Sequence, residues 1–437
     1  LSLTGLVNVL SALPCRHFPI VTDTGRDVHE MSDHSVVAGV DTHADTHYAA
    51  MISATGEHLG AAQFPATDAG YRALTGFITC QGALLRVGVE GTNSYGAGLA
   101  RHLRVENIEA VEVIRPARQV RRMRGKSDEI DAYAAAHIAL AGNDAVTPKT
   151  AAGPVEAIRV THAARRSAVK ARTEKIQQIK SLLVTAPELI RAEYRALTAG
   201  RLVDRLAASH PRSGDDVTAA CTRVALKRLA VRHQQLDAEI VGHEADLTRL
   251  VSTANPALTQ AGGIGVITAA QLLATAGDNP DRIGSEAAFA MLCGAAPIPA
   301  SSGKTNRHRL NRGGDRAANC ALHQIAINRL ATDPVTRAYA AKRTAEGKTN
   351  KDILRCLKRA ISREVFHLIT NPPPAEDSTD LRLTREHLSL SMAHVAAALD
   401  CSIAKISRLE RGHISNLRFL HQYRDWLTKQ KPRPNAA

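Results

Sequence analysis

The sequence predicts a layered α/β domain, followed by a helical arm, a mainly α domain and a small C-terminal helical module. Three observations predict it. Val36 to Val40 is a short apolar run ending on Asp41, and Leu84 to Val89 is a second such run ending on Glu90. Each reads as a buried strand that delivers a carboxylate to the edge of a sheet. Up to about residue 150 such strands alternate with helix-length amphipathic stretches, the pattern of a layered α/β unit. Beyond it the chain turns to long helical periods, and Asn371-Pro372-Pro373-Pro374 then sets off a last module.

Residues 1–35 come first. Leu3 to Leu13 is mildly apolar but no basic region precedes it, so a secretory signal is a poor reading. The non-Met first residue and the internal Met31 suggest an upstream start or a leader that is not native. Most of this stretch is expected to be disordered. The first folded unit is expected over 36–150. Tyr48 to Ser53 and Glu57 to Phe64 complete a meander around a Thr55-Gly56 turn. Helices follow over Asp68 to Thr79 and Ser94 to Leu103, with a further strand over Ala110 to Ile114. Lys126-Ser127-Asp128-Glu129-Ile130-Asp131 then places two aspartates three residues apart, on one face of a helix.

Residues 151–255 read as an elongated helical arm. Val155 to Ala186 is rich in Arg and Lys, and Leu229, Leu236, Ile240, Leu247 and Leu250 form a heptad-like seam. That seam suits an intramolecular hairpin as well as a coiled coil between chains. Pro187 and His210-Pro211 interrupt the arm. The next unit, 256–370, opens on Ala261-Gly262-Gly263-Ile264-Gly265 before a helix. Amides of Gly263 and Gly265 at a helix start can hold a phosphate, although the same glycines also serve tight turning. Neither this stretch nor Gly303-Lys304-Thr305 fits a nucleotide P-loop, whose spacing is missing. From 371 to 382 a linker is expected, and then a module over 383–430. Its helical patterns are Leu383 to Leu390, Met392 to Leu399 and Ser402 to Leu409, with Asp400-Cys401 as a turn.

Composition narrows the partners. The 437 residues carry a net charge of +14, which favours a polyanion such as nucleic acid. No apolar run is long enough to span a bilayer, so no membrane partner is expected. Aromatics make up 3%, too few for a platform that stacks single-stranded bases. The seven cysteines are scattered without a Cys-x-x-Cys pair, which fits reduced thiols in a cytoplasm and excludes a structural zinc or disulfide framework. His43 and His47 flank Asp41 but lack a third zinc ligand at suitable spacing, and read as polar neighbours of a magnesium pocket.

Chemistry gathers at two places. Asp41, Glu90, Asp128 and Asp131 are four oxygen ligands from strand ends and one helix face, a set that suits two divalent cations, magnesium or manganese. Such a pair stabilises the attacking and leaving oxygens of a phosphodiester transfer. Between the second strand and the aspartate pair lie Arg115, Arg118, Arg121, Arg122, Arg124 and Lys126, placed to contact a nucleic-acid backbone. The second place is Gly294 to Asp315. There Pro297 and Pro299 stiffen the approach to a Ser301-Ser302-Gly303 turn, among Lys304, Arg307, His308, Arg309 and Arg312. Cations at such a turn draw in a phosphate, and a serine hydroxyl there can attack phosphorus. Spacing alone does not choose between Ser301 and Ser302.

The ordered motifs VDTHADTH (Asp41), VGVEGT (Glu90) and KSDEIDA (Asp128, Asp131) resemble the RuvC-like site of the ribonuclease H superfamily. More closely they resemble the DEDD transposases of the insertion-sequence family one-ten, also called bridge recombinases, over roughly residues 36–370. The resemblance implies a transposase that cleaves and rejoins donor and target DNA, with Ser301 as nucleophile and a bridge RNA as guide. It also implies a dimerising coiled coil, and a homodimer assembling to a tetramer in which the acids of one subunit work with the serine domain of another. The tail stretch LSLSMAHVAAALDCSIAKISRLERG resembles an Xre/Cro-type helix-turn-helix, with Ser402, Lys405, Ser407 and Arg408 on or near its recognition helix. This appendage departs from the core family pattern. A cytoplasmic, nucleoid-associated protein is expected. Rival readings are a Holliday-junction resolvase or nuclease acting by water attack, which needs the acids but no serine, and a DNA-binding repressor, which needs neither.

Overall fold

The computed structural model describes residues 35–113, 127–142, 145–303, 308–373, 378–411 and 417–430. The expected leader, apart from Ser35, lies outside them. Two compact units divide the chain between residues 152 and 153. Among the described residues no helix is long and apolar enough to cross a membrane.

The first unit is a six-stranded mixed sheet. Its elements run β1 (Ser35–Thr42), β2 (Thr46–Ser53), β3 (His58–Pro65), α1 (Asp68–Thr79), β4 (Ala83–Glu90), α2 (Ala97–Val105), β5 (Ala110–Val113), α3 (Asp128–Ala141) and β6 (Ala145–Val146). The spatial order is β3-β2-β1-β4-β5-β6. β1 runs antiparallel to β2 and parallel to β4, and β4 runs parallel to β5. Every residue of β1 is buried because helices cover both faces, which is why it reads as a continuous apolar run. Val36, Ala38 and Val40 face Leu74 and Ile78 of α1 and Leu99 and Leu103 of α2. Val37 faces Ala135, Ala136 and Ala139 of α3. The expected helix over Ser94 to Leu103 begins three residues later, because the backbone first turns through Gly91, at φ 61°.

Two glycines set the distance between α3 and the sheet. Gly39 of β1 and Gly88 of β4 are register partners. A Cβ on Gly39 would press into the backbone N of Ala136 and O of Ala132, and one on Gly88 would come within 2.5 Å of Ala135 O. The helix therefore packs backbone against backbone, with alanines on its buried side.

The second unit begins with α4 (Pro154–Thr185), α5 (Glu188–Tyr194), α6 (Ala199–Ala207) and α7 (Val217–Ala254). Arg165 pairs with Glu244 at 2.6 Å and Arg172 pairs with Asp237. Seven residues forward in α4 match seven back in α7, so the two helices form an antiparallel hairpin. Part of the heptad-like seam is spent inside the chain: Ile240 and Leu247 are buried, and Leu229 and Leu250 pack on in-chain cores. Near the start of α7, buried Arg223 is held by Glu193 at 2.9 Å and Asp215 at 3.0 Å.

There follow α8 (Pro256–Gln260), α9 (Val266–Ala276), α10 (Glu286–Leu292), the hairpin β7 (Pro297–Pro299) and β8 (His308–Leu310), α11 (Arg316–Thr332), α12 (Pro334–Ala345) and α13 (Asn350–Thr370). α9 is almost wholly apolar and lies at the centre of one core, with Leu322 and Ile325 of α11 and Ile353, Leu357 and Val365 of α13 around it.

The last elements are α14 (Thr379–His387), α15 (Met392–Ala398), α16 (Ile403–Glu410) and α17 (Leu417–Thr428), which share a core of their own. The first helix starts earlier than the expected Leu383, inside the stretch read as linker. Leu381 is part of the core and Ser378 Oγ donates to Leu409 O at 2.9 Å. The expected helix through Leu390 instead ends at His387, because Ser389 adopts a left-handed conformation, φ 53°.

Candidate metal centre and serine hairpin

Strand register assembles the acids. Val40 of β1 pairs with Val89 of β4, so Asp41 and Glu90 follow at neighbouring parallel strand ends. With the period of two, Asp41 lies on the same face as Gly39, and Glu90 on the same face as Gly88, which is the face α3 covers. Ser127 caps α3, accepting from Ile130 N at 3.2 Å, and places Asp128 and Asp131 in the first turn. There the unpaired amides of the helix start favour negative charge.

Asp41 is 2% exposed, Glu90 5% and Asp131 7%. Asp41, His43 and Asp128 each offer a ligand atom within 4.8 Å of the others. Glu90 and Asp131 lie outside that tight group. His43 Nε2 donates to Asp41 Oδ2 at 3.0 Å and stands 3.4 Å from Asp128 Oδ1. The other oxygen, Asp41 Oδ1, is buried without a hydrogen-bond partner among the described residues. Burial raises the Asp41 carboxyl above its ordinary 3.8; His43 opposes the shift, and Asp131 and Asp128 add to it. A buried carboxylate oxygen without a donor, next to a second carboxylate, fits a hard divalent cation with oxygen ligands.

His47 does not join this group. It is buried and stacks on Tyr71 of α1 with ring centroids 5.6 Å apart, and Nδ1 donates to Thr46 O at 3.1 Å. Burial lowers its pKa, so a neutral ring is favoured. The two histidines, alike in sequence, part because β2 pairs Thr42 with His47 and so turns the latter toward the α1 side.

In the second unit the β7–β8 hairpin carries Ser301, Ser302 and Gly303 as an exposed tip, with Gly303 at φ 54°. The hairpin base is pinned. Gly314 sits against Met291 O and the backbone of Gly294, and Asn311 Nδ2 donates to Met291 O at 2.9 Å. Asp315 caps α11 through Oδ1 and accepts from Thr275 Oγ1 through Oδ2 at 2.7 Å. Cys293 nearby is no rival nucleophile: it is fully buried and its thiol is pushed up to about 12. Arg309 and Arg312 are exposed and line separate clefts of 610 and 600 Å³ beside the hairpin. Lys304 and Arg307 lie outside the described residues, as do Arg115, Arg118, Arg121, Arg122, Arg124 and Lys126.

The glycine turn before α9 is tied inward. Gly265 N donates to Thr268 Oγ1 at 3.1 Å, Arg329 Nε donates to Gly262 O at 2.7 Å, and Gly263 adopts φ 80° under the Arg329 side chain. These contacts shape and cap the turn. In the tail, Ser402 Oγ caps α16 by accepting from Lys405 N at 3.3 Å, and Lys405 Nζ lies 3.6 Å from the Phe419 ring centroid. Ser407 is half-buried and Arg408 is exposed.

One side chain beside the acids was hard to see in the sequence. His43 was visible as a neighbour of Asp41, but its place between two carboxylates depends on α3. The basic face of α13, with Lys348 just before it, carries Arg355, Lys358, Arg359 and Arg363 beside the hairpin. Their clustering in one basic helical stretch was the available signal.

Comparison with known proteins places both regions. Residues 38–186 match the transposase model of the DEDD, IS110 type, and residues 255–341 match the model described as "Transposase IS116/IS110/IS902 family". The chain is also similar to the "Insertion element IS110 uncharacterized 43.6 kDa protein" of Streptomyces coelicolor, 36% identical over 110 residues. That match covers 25% of this chain and 27% of the relative.

Proposed function

We propose that this chain, built from IS110-family transposase domains, cleaves and rejoins DNA strands to move an insertion sequence, with Asp41, Glu90, Asp128 and Asp131 as its acidic centre and Ser301 as its nucleophile. The observation that carries the proposal is the buried Asp41 carboxylate, whose Oδ1 has no donor while Asp128 and His43 converge beside it. A protein retains such an arrangement at a cost in folding stability when a cation is to be held there.

Asp41, Glu90, Asp128 and Asp131 would hold magnesium or manganese, Asp41 and Asp128 closest together. When bound, the metal supplies charge stabilisation for the phosphodiester oxygens. His43 Nε2 stands between the Asp41 and Asp128 carboxylates. The serine hydroxyl, exposed at a hairpin tip whose base is pinned, would attack phosphorus, forming an O–P bond to the protein and releasing a DNA hydroxyl. The hydroxyl freed from a second, likewise cleaved strand then attacks that phosphoserine linkage, restoring the serine and joining the two strands, so bond energy is conserved through the exchange. Ser302 is the alternative nucleophile. By the family resemblance, a bridge RNA would direct the choice of donor and target, and a homodimer pairing to a tetramer would bring the acids of one subunit to the serine of another. The tail supports a reading as an added helix-turn-helix DNA module, because residues 378–430 close a core of their own.

The test is to trap labelled DNA on the protein in a denaturing gel and map the modified peptide. Ser301→Ala should bind DNA yet form no adduct, and Asp41→Asn should form none either. Cleavage without any adduct would favour the water-using nuclease instead.

A further inference from the structure

Beside the serine hairpin lie two clefts of similar size, 610 and 600 Å³, and both are lined by Gly294 and Lys358. The first also has Arg309 and Lys348 in its wall, and the second Arg312 and Arg316. The cations fall into two groups. Arg359 and Arg363 are held by Glu286 at 3.1 and 2.7 Å, and Arg355 by Asp352 at 2.8 Å. Among the described residues Lys358, Arg309, Lys348, Arg312 and Arg316 have no carboxylate within ion-pair distance. Lys358 is half-buried, and its Nζ donates to Asn319 Oδ1 at 3.0 Å. Asn319 is itself fixed, since its Nδ2 donates to Cys293 O at 3.2 Å and Gly294 O at 2.8 Å, at the root of the hairpin. Burial, and then Arg355, lowers the Lys358 pKa, the expected effect of holding an ammonium where no anion yet balances it.

We propose that the two clefts form one track for the sugar–phosphate backbone of a DNA strand, with Lys358 as the phosphate-binding residue at its centre. The proposal deepens the transposase reading by naming the surface that would lead a strand past the serine hairpin. A half-buried lysine tethered to a neutral amide is stabilised when a phosphate supplies the missing charge. The four unpaired cations, two to each cleft, continue the track on both sides. An extended strand suits this layout better than a small anion, which would use one cleft and leave the other's charge unbalanced.

The experiment measures binding of the full chain to a fluorescein-labelled single-stranded DNA by anisotropy across a salt series. Lys358→Gln should weaken binding roughly 10–100-fold, as expected for losing a charge-assisted hydrogen bond. The slope of log affinity against log salt should become shallower by about 0.7. Lys358→Arg should keep the slope. Lys348→Gln and Arg312→Gln, exposed positions that leave the core untouched, should each reduce the slope similarly even if Lys358→Gln disturbs folding. Arg201→Gln, on the arm, should not. Wild-type affinity and slope in Lys358→Gln, Lys348→Gln and Arg312→Gln would overturn the track. Tighter binding of RNA of the same sequence, lost in the same variants, would overturn its assignment to DNA. The assay reads binding alone, so a failed serine adduct would sink the proposed chemistry without touching this result.

Discussion

Replacing Gly39 with alanine adds one methyl group, touches no acid, and should nevertheless disable the metal centre. The new Cβ would meet Ala136 N, Ala132 O and, at 2.8 Å, Ala135 C, all backbone atoms of α3. Ordinary contact begins at 3.4 Å, so the helix must move outward by about 1 Å, within the range of backbone shifts that overpacking forces. Since the obstruction is backbone, trimming Ala132 or Ala136 to glycine makes no room. Overpacking of this kind costs roughly 1–3 kcal/mol. The larger effect is on geometry, because α3 carries Asp128 and Asp131 while Asp41 stays on β1. A displacement of about 1 Å in a reacting group is worth on the order of 100-fold in rate. The expected result is a protein that folds and binds DNA but cleaves about 100-fold more slowly. Activity, a thermal melt and isothermal titration with Mn²⁺ would be measured together. Gly76→Ala is the control: nothing lies within 4 Å of its added Cβ, and alanine favours a helix. Wild-type cleavage and Mn²⁺ affinity in Gly39→Ala would refute the claim that this close approach positions the centre.

Three further outcomes are expected. In chelator at neutral pH, Asp41→Asn should melt higher than wild type, and with magnesium restored it should not cleave. Burial raises the Asp41 pKa, so its ionised form costs stability; that cost is absent below the ordinary 3.8 and complete once the pH has passed the raised value. The difference in melting temperature should therefore fade toward acid, and a difference that grows toward acid would contradict the assigned shift. Ser302→Ala should retain the DNA adduct if Ser301 is the nucleophile, and mapping of the adduct to position 302 would transfer the role. In the tail, Arg385 forms a bidentate pair with buried Glu410, at 2.7 and 2.9 Å, and Tyr423 donates to the same carboxylate at 2.7 Å. Arg385→Met would leave that charge buried with the Tyr423 hydroxyl but no cation, a loss of about 3–5 kcal/mol. A module of this size rarely holds more, so residues 378–430 should become protease-sensitive while cleavage at the acidic centre persists; an intact tail would show that the pair contributes little.

The sequence by itself determined the strands that carry Asp41 and Glu90, because a strand buried on both faces leaves a continuous apolar run with an abrupt polar end. The spacing of Asp128 and Asp131, with Ser127 before them, likewise marked a capped helix bearing two acids on one face. The exposed serine turn was legible from Pro297, Pro299 and Gly303, which restrict the backbone locally. Other features rest on partners distant in the chain. Nothing local distinguishes His43 from His47, yet the register of β1 with β2 sends one to Asp128 and the other to Tyr71. Gly39 and Gly88 read as weak strand residues until the parallel register aligns them under α3. Lys358 reads as one more cation on a basic helix, and its neighbours give it a different standing. Arg359 and Arg363 find Glu286, while among the described residues Lys358 finds the amide of Asn319 and no carboxylate. Local sequence carries backbone preference and burial period; which charge is balanced, and by what, is decided when the elements pack.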